Sequence, residues 1–133
     1  PGPIKLHSKA ATVWERAQDD KYEADKAVAM LSACALAASE ENARGHLVIT
    51  APTGGSAGVM PAIVFGMTQT KRAVPQEKVR QGLLAGAAIG YLCKHNATLS
   101  GAEGGCQSEI GVASAMAAAM IAEASGRLIA KPP

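Results

Sequence analysis

From Tyr22 to Ala43 the chain carries neither glycine nor proline. Val28, Leu31, Ala35 and Ala38 recur there at i, i+3, i+4 spacing, which predicts one long amphipathic helix. Glu40-Glu41-Asn42 closes it, with Glu40-Glu41 read as a solvated helix end and Gly45 as the residue that stops it. The same logic extends along the sequence. Ser8 is placed to cap a short helix through Ala17, with Val13 and Trp14 on its inner side. Val59–Met67 reads as a short apolar helix that tolerates Pro61 in its first turn. Val74-Pro-Gln-Glu-Lys78 starts another, with Leu83, Leu84, Ala87, Ala88 and Tyr91 as its expected buried face. The last helix is expected from about Cys106 to Ala124, with a stripe of Ile110, Ala113, Ala117, Met120 and Ile121, and Gly126 stops it. Leu47-Val-Ile-Thr50 alone has strand character, as one extended segment or as the lead-in to a turn. The expectation is an all-α chain of about five helices.

Aromatic residues make up only 3% of the 133 residues. The core must therefore be packed from Ala, Val, Leu, Ile and Met, and small side chains let helices approach closely. A formal net charge of +2 and a longest basic run of Lys71-Arg72 argue against nucleic acid as a partner. No stretch reaches the ~20 apolar residues of a membrane span, and Pro1–Ala11 has no secretory pattern. The three cysteines, Cys34, Cys93 and Cys106, are too widely spaced for a disulfide framework, which fits a reducing cytoplasm. The chain starts at Pro1 without methionine and ends Ile129-Ala-Lys-Pro-Pro133, as a piece of something longer would.

Chemistry concentrates in Ser100-Gly-Ala-Glu-Gly-Gly-Cys-Gln-Ser-Glu-Ile-Gly-Val-Ala-Ser-Ala-Met116. It sets Cys106 on a glycine-rich turn at the mouth of an alanine-rich helix. Free N–H groups and the helix dipole there favour thiolate, the form that binds metal or attacks carbon. Flanking glycines admit a large group close to the backbone. One cysteine cannot hold a metal alone, so either further ligands lie outside this chain or Cys106 is a nucleophile. Cys34 and Cys93 sit inside apolar helical patterns and read as small buried hydrophobes. Glu103 and Glu109 bracket Cys106 as candidate acid or base groups, although caps and helix-face charges are the commoner use.

The second glycine-rich turn is Ala51-Pro-Thr-Gly-Gly-Ser-Ala-Gly58. It lacks the Gly-Lys-Ser/Thr ending of a nucleotide loop. Backbone N–H groups with the hydroxyls of Thr53 and Ser56 suit a small carboxylate; a plain helix-to-helix connection is the alternative. His7, His46 and His95 have no metal-spaced partner and read as surface histidines, with His95 a weak candidate because it lies just ahead of Ser100.

These segments resemble the iron–sulfur-dependent L-serine dehydratases. Ser100 to Ala119 is similar to that family's central motif. Ala51–Gly58 and Ser39-Glu-Glu-Asn-Ala43 resemble two further segments in the same order, and the likeness runs roughly from Tyr22 to Gly126. The resemblance implies an all-helical catalytic alpha domain that converts L-serine to pyruvate and ammonia on a [4Fe–4S] cluster. The cluster is held by three cysteines, and its fourth iron acts as a Lewis acid on the substrate hydroxyl. It assigns Cys106 as the first cluster ligand. It assigns Thr53, Gly54, Gly55 and Ser56, with Ser100, Gly101 and Ala102, to substrate binding; the general base is left unassigned. The family's other two cluster cysteines lie in a Cys-Asp-Pro and a Pro-Cys segment, both absent from this chain. The 133 residues are thus expected to be the N-terminal portion of the alpha domain, inactive alone. A beta domain or beta subunit and homo-oligomeric assembly are the expected partners. Many members carry Asn where Gly54 stands and Cys where Ser114 stands. Two other classes stay open: a cysteine-nucleophile enzyme pairing Cys106 with a base such as His95, and a non-enzymatic helical scaffold subunit.

Overall fold

A computed structural model describes residues 4–18, 23–69, 73–98 and 101–126. Six helices and no strand occur among them: α1 (Lys9–Gln18), α2 (Glu23–Ala43), α3 (Val59–Thr68), α4 (Gln76–Asn96), α5 (Gly101–Gly104) and α6 (Cys106–Ala124). The chain is all-α. The helix beyond the five expected is α5, a single turn lying where the sequence suggested only glycine-rich turn. Leu47–Thr50 forms no strand, and Leu47 and Ile49 stand in solvent. None of the described helices is long and apolar enough to cross a membrane. Tyr22, Lys71-Arg72, Ser100 and Arg127–Pro133 lie outside the described residues.

The fold divides into two compact units, residues 1–66 and 67–133. In the first, α1 packs along α2. Ser8 caps α1, its Oγ accepting the Ala11 N–H at 3.3 Å. Ala10 and Ala17 are the buried residues of α1, and Val13 and Trp14 are half-buried beside them. Trp14 meets Phe65 of α3 edge-on, with ring centroids 6.0 Å apart. Gly58 lets the start of α3 press on α2: a Cβ there would lie 2.2 Å from the Ala35 carbonyl oxygen. Of the expected α2 stripe, Leu31, Ala35 and Ala38 are half-buried, whereas Val28 is exposed and Ala33 is buried instead.

In the second unit α4 packs on α6. The stripe on α6 is Ala113, Met116, Ala117, Met120 and Ala124, with Ile110 and Ile121 at its exposed margins. The buried face of α4 is not the one the apolar spacing predicted. Leu84 is 73% exposed and Tyr91 71%, and Leu83, Ala87 and Ala88 are also exposed. Val79, Gly82 and Gly86 are buried in their place. A Cβ on Gly82 would stand 2.6 Å from the Met120 carbonyl oxygen, and one on Gly90 would stand 3.1 Å from the Met116 sulfur. Only a helix side without side chains lets α6 come this close, so the glycines decide the packing and the large apolar residues face outward.

Candidate functional site

The Ala51–Gly58 segment belongs to the first unit and is built on the end of α2. That end is closed by backbone bonds from Arg44 N–H to the Glu40 carbonyl (3.0 Å), Gly45 N–H to Asn42 (3.0 Å) and His46 N–H to Glu41 (3.1 Å). Gly45 takes φ +82°, the left-handed helix stop that its place in the sequence predicts. The side chains add to this. Arg44 pairs with Glu41 at 2.8 Å and with Glu40 at 3.4 Å. Glu41 also pairs with His46.

Glu40 corrects the expectation of a solvated helix end, for it is only 6% exposed. Its Oε1 accepts the N–H of Lys9 at 2.6 Å and of Ala10 at 3.0 Å, so it closes the open end of α1 from across the helix pair. Burial pushes its pKa up. The hydrogen bonds from Ala10, Ser8 and Lys9 and the charge of Arg44 outweigh that and hold it below the ordinary carboxylate value. Glu41 is also lowered, through its hydrogen bonds to His46 and Arg44. The i, i+4 pairing of Glu40 with Arg44 was the signal available in the sequence for this cluster.

Asn42 reaches from the last turn of α2 to the glycine turn, its Nδ2 donating to the Gly54 carbonyl at 3.4 Å. The same carbonyl accepts the Ala57 N–H at 3.3 Å, and Val59 N–H closes on the Ser56 carbonyl at 3.1 Å. Ser56 is 1% exposed, with its Oγ 3.5 Å from the Thr53 Oγ1. Gly55 is exposed and Gly54 half-buried. Within this unit, Thr53, Gly54, Gly55 and Ser56 thus form one compact turn whose hydroxyl pair is folded inward and whose tip is backbone. The sequence placed Asn42 in the Ser39–Ala43 segment but gave it no link to the turn, for it stands twelve positions from the carbonyl it holds. A separate groove of about 380 Å³ runs between α1 and α2, lined by residues including Trp14, Cys34, Ala37 and Arg44, and none of the turn residues lines it.

The Cys106 segment belongs to the second unit. Gly101 and Ala102 lie on α5, where Ala102 is exposed. Thr98 Oγ1 donates to Glu103 at 2.5 Å, and Ser108 Oγ donates to the Gly104 carbonyl, which ties α5 to the first turn of α6. Gly105 links the two with φ +75° and open space where a Cβ would stand. Cys106 follows as the first residue of α6, with its thiol exposed. Glu109 is half-buried one turn on. Cys34 and Cys93 are free thiols, half-buried, and burial pushes the Cys34 thiol up. His95 is exposed on the last turn of α4. Among the described residues no group of three His, Cys, Asp or Glu could hold a metal ion.

Curated relatives are similar over nearly all of the chain. The L-serine dehydratase TdcG of Escherichia coli K12 is 41% identical over 129 residues, which is 95% of this chain and 28% of that protein. The L-serine dehydratase of Streptomyces coelicolor is 40% identical over 126 residues, again 95% of this chain and 28% of the relative. That of Helicobacter pylori 26695 is 41% identical over 92% of the chain and 28% of its own length. This chain therefore corresponds to little more than a quarter of the proteins it resembles. No solved structure matches. A family model described as the serine dehydratase alpha chain matches residues 1–131, and the chain belongs to that family.

Proposed function

We propose that the chain is the N-terminal portion of the catalytic alpha domain of an iron–sulfur L-serine dehydratase. The reaction removes water from L-serine, and the resulting enamine hydrolyses to pyruvate and ammonia. The observation that carries this reading is identity of about two residues in five, over 95% of the chain, to proteins named L-serine dehydratase. A [4Fe–4S] cluster, when bound, supplies a Lewis-acidic iron that stabilises the departing hydroxide. The donor set here fits one corner of such a cluster. Cys106 is exposed at a helix start, beside a glycine with open space around it, and it supplies one thiolate of the three required. The other ligands come from outside this chain.

The chain's own residues bind and orient. The tip of the Thr53–Ser56 turn offers backbone N–H groups to the substrate carboxylate, and Ser56, buried against Thr53, keeps the turn in shape. Gly101 and Ala102, on the short helix ahead of Cys106, form the second binding segment together with Ser100. The reading carries with it a beta domain or beta subunit, homo-oligomeric assembly and a cytoplasmic location.

The test is anaerobic reconstitution of the full-length protein with iron and sulfide, followed by iron counting and a pyruvate assay with L-serine. About four irons per chain are expected, with pyruvate formation abolished by Cys106→Ala. The 133-residue chain alone is expected to form no pyruvate. Absence of iron uptake, with turnover blocked by alkylating Cys106, would replace this reading with Cys106 as a nucleophile.

A further inference from the structure

We propose that Asn42 is a positioning residue for substrate binding: by holding the Gly54 carbonyl it fixes the Gly54–Gly55 peptide plane and so aims the Gly55 N–H out of the turn. The inference rests on the reading of the Thr53–Ser56 turn as the site of the substrate carboxylate.

The argument starts from peptide geometry. In a trans peptide the C=O and the following N–H point in opposite directions. The Gly54 carbonyl is turned toward two donors, Asn42 Nδ2 at 3.4 Å and the Ala57 N–H at 3.3 Å. The N–H of Gly55, in the same peptide plane, therefore points the other way, at an exposed position. A glycine on each side of that plane makes it easy to rotate. Rotation by half a turn would present the carbonyl outward and repel an anion where the N–H attracts one.

Asn42 is well placed to prevent that rotation because its own position is fixed. It sits in the last turn of α2, where Gly45 and the Arg44, Glu41 and His46 side chains lock the helix end. Buried Glu40, two residues before it, binds that end to α1. The far side of the turn is pinned as well, by buried Ser56 and by Gly58 against the Ala35 carbonyl. Gly54 leaves room for the amide: a Cβ there would stand 3.2 Å from Asn42 Nδ2. What stays free to turn between these two anchors is the Gly54–Gly55 peptide, and Asn42 is the side chain that holds it.

The decisive variant is Asn42→Asp, which keeps size and shape but replaces the donor with an acceptor facing a carbonyl. In the full-length reconstituted enzyme, KM for L-serine is expected to rise about tenfold or more with kcat within about twofold, on the scale of one lost hydrogen bond to a charged group. Asn42→Ala is expected to give a smaller rise. Equal KM for Asn42→Asp and the unvaried enzyme would overturn the proposal, as would equal losses in KM and kcat that follow stability alone. Amide hydrogen exchange at Ala57, read in the same variants without substrate, is expected to quicken in Asn42→Asp. If the unvaried enzyme makes no pyruvate from L-serine, the substrate reading fails. Exchange then still decides the role of Asn42, and unchanged protection at Ala57 would overturn it.

Discussion

Both units hold a glycine close against a neighbouring main chain, Gly58 on Ala35 in the first and Gly82 on Met120 in the second, but the first adds polar reaches between its elements. In residues 1–66, single polar atoms reach across gaps: Glu40 to the Lys9 and Ala10 N–H groups, and Asn42 to the Gly54 carbonyl. In residues 67–133, α4 and α6 meet through shape, glycine against methionine and main chain. A polar reach is directional and depends on charge, so it can place a loop. A glycine seam is indifferent to charge and fixes only how near two axes come. The unit with the polar reach carries the candidate carboxylate turn, and the unit with the seam carries the exposed thiol at the start of α6. On the proposed reading, the first needs its backbone aimed and the second a rigid helix with an open end.

Substitutions can break this contrast, and the largest effect is expected where backbone meets backbone. Gly58→Ala would set a Cβ 2.2 Å from the Ala35 carbonyl oxygen, and Gly82→Ala one 2.6 Å from that of Met120. Neither neighbour is a flexible side-chain end, so losses of about 2–3 kcal/mol in urea denaturation are expected, with Gly58→Ala the worse. An unchanged midpoint for Gly82→Ala would remove the seam as the basis of the α4–α6 contact. Glu40→Ala comes next. It leaves two backbone donors at the start of α1 without their acceptor, one of them on buried Ala10, and is expected to cost about 1–3 kcal/mol. Glu40→Gln keeps an acceptor and should lose less.

Acid should separate the two units. The folded-state pKa of Glu40 lies below the ordinary value of 4.5, so its contribution is complete above pH 4.5 and disappears as pH falls through the lower folded value. Hydrogen exchange is expected to quicken in α1 over that window while the α4–α6 seam, whose Gly82, Gly90, Met116 and Met120 do not titrate, keeps its protection. Glu40→Gln should flatten the response of α1. If both units lost protection together, charge would not be what distinguishes them. The smallest effect expected is a gain. Gly111 lies in α6 with open space around it, and Gly111→Ala should stabilise by about 0.5–1 kcal/mol in the same urea assay.

Helix positions were legible in the sequence where local chemistry decides them. Ser8 caps α1, Gly45 stops α2, and α6 runs from Cys106 to Ala124, each as the residue pattern predicts. The buried face of α4 was not legible. Counting apolar residues selects Leu83, Leu84 and Tyr91, because a glycine contributes nothing to hydrophobicity. The glycine row is nevertheless what admits another helix. In the candidate site, the place of Cys106 at a helix mouth followed from Gly105 and the pattern after it. The roles of Glu40 and Asn42 did not. Both act on residues brought near by folding, and a charged or amide side chain at a helix end usually faces water.

The row Gly82, Gly86 and Gly90 has one further consequence. Gly82 faces Met120 and Gly90 faces Met116, so the two helices run antiparallel. Glycines four apart repeat about every 6 Å along α4, close to one helical pitch. A groove that repeats in this way looks nearly the same after a slip of one turn, so it says how close α6 may lie but not where along α4 it stops. That information has to come from the ends of the row. Before Gly82, the next place in the series is Lys78, whose side chain would meet Met120 if α6 slid that way. After Gly90 it is Lys94. A slip of one turn in either direction would therefore set a lysine stem where a glycine now faces α6, and would move Cys106, at the start of that helix, by the same step.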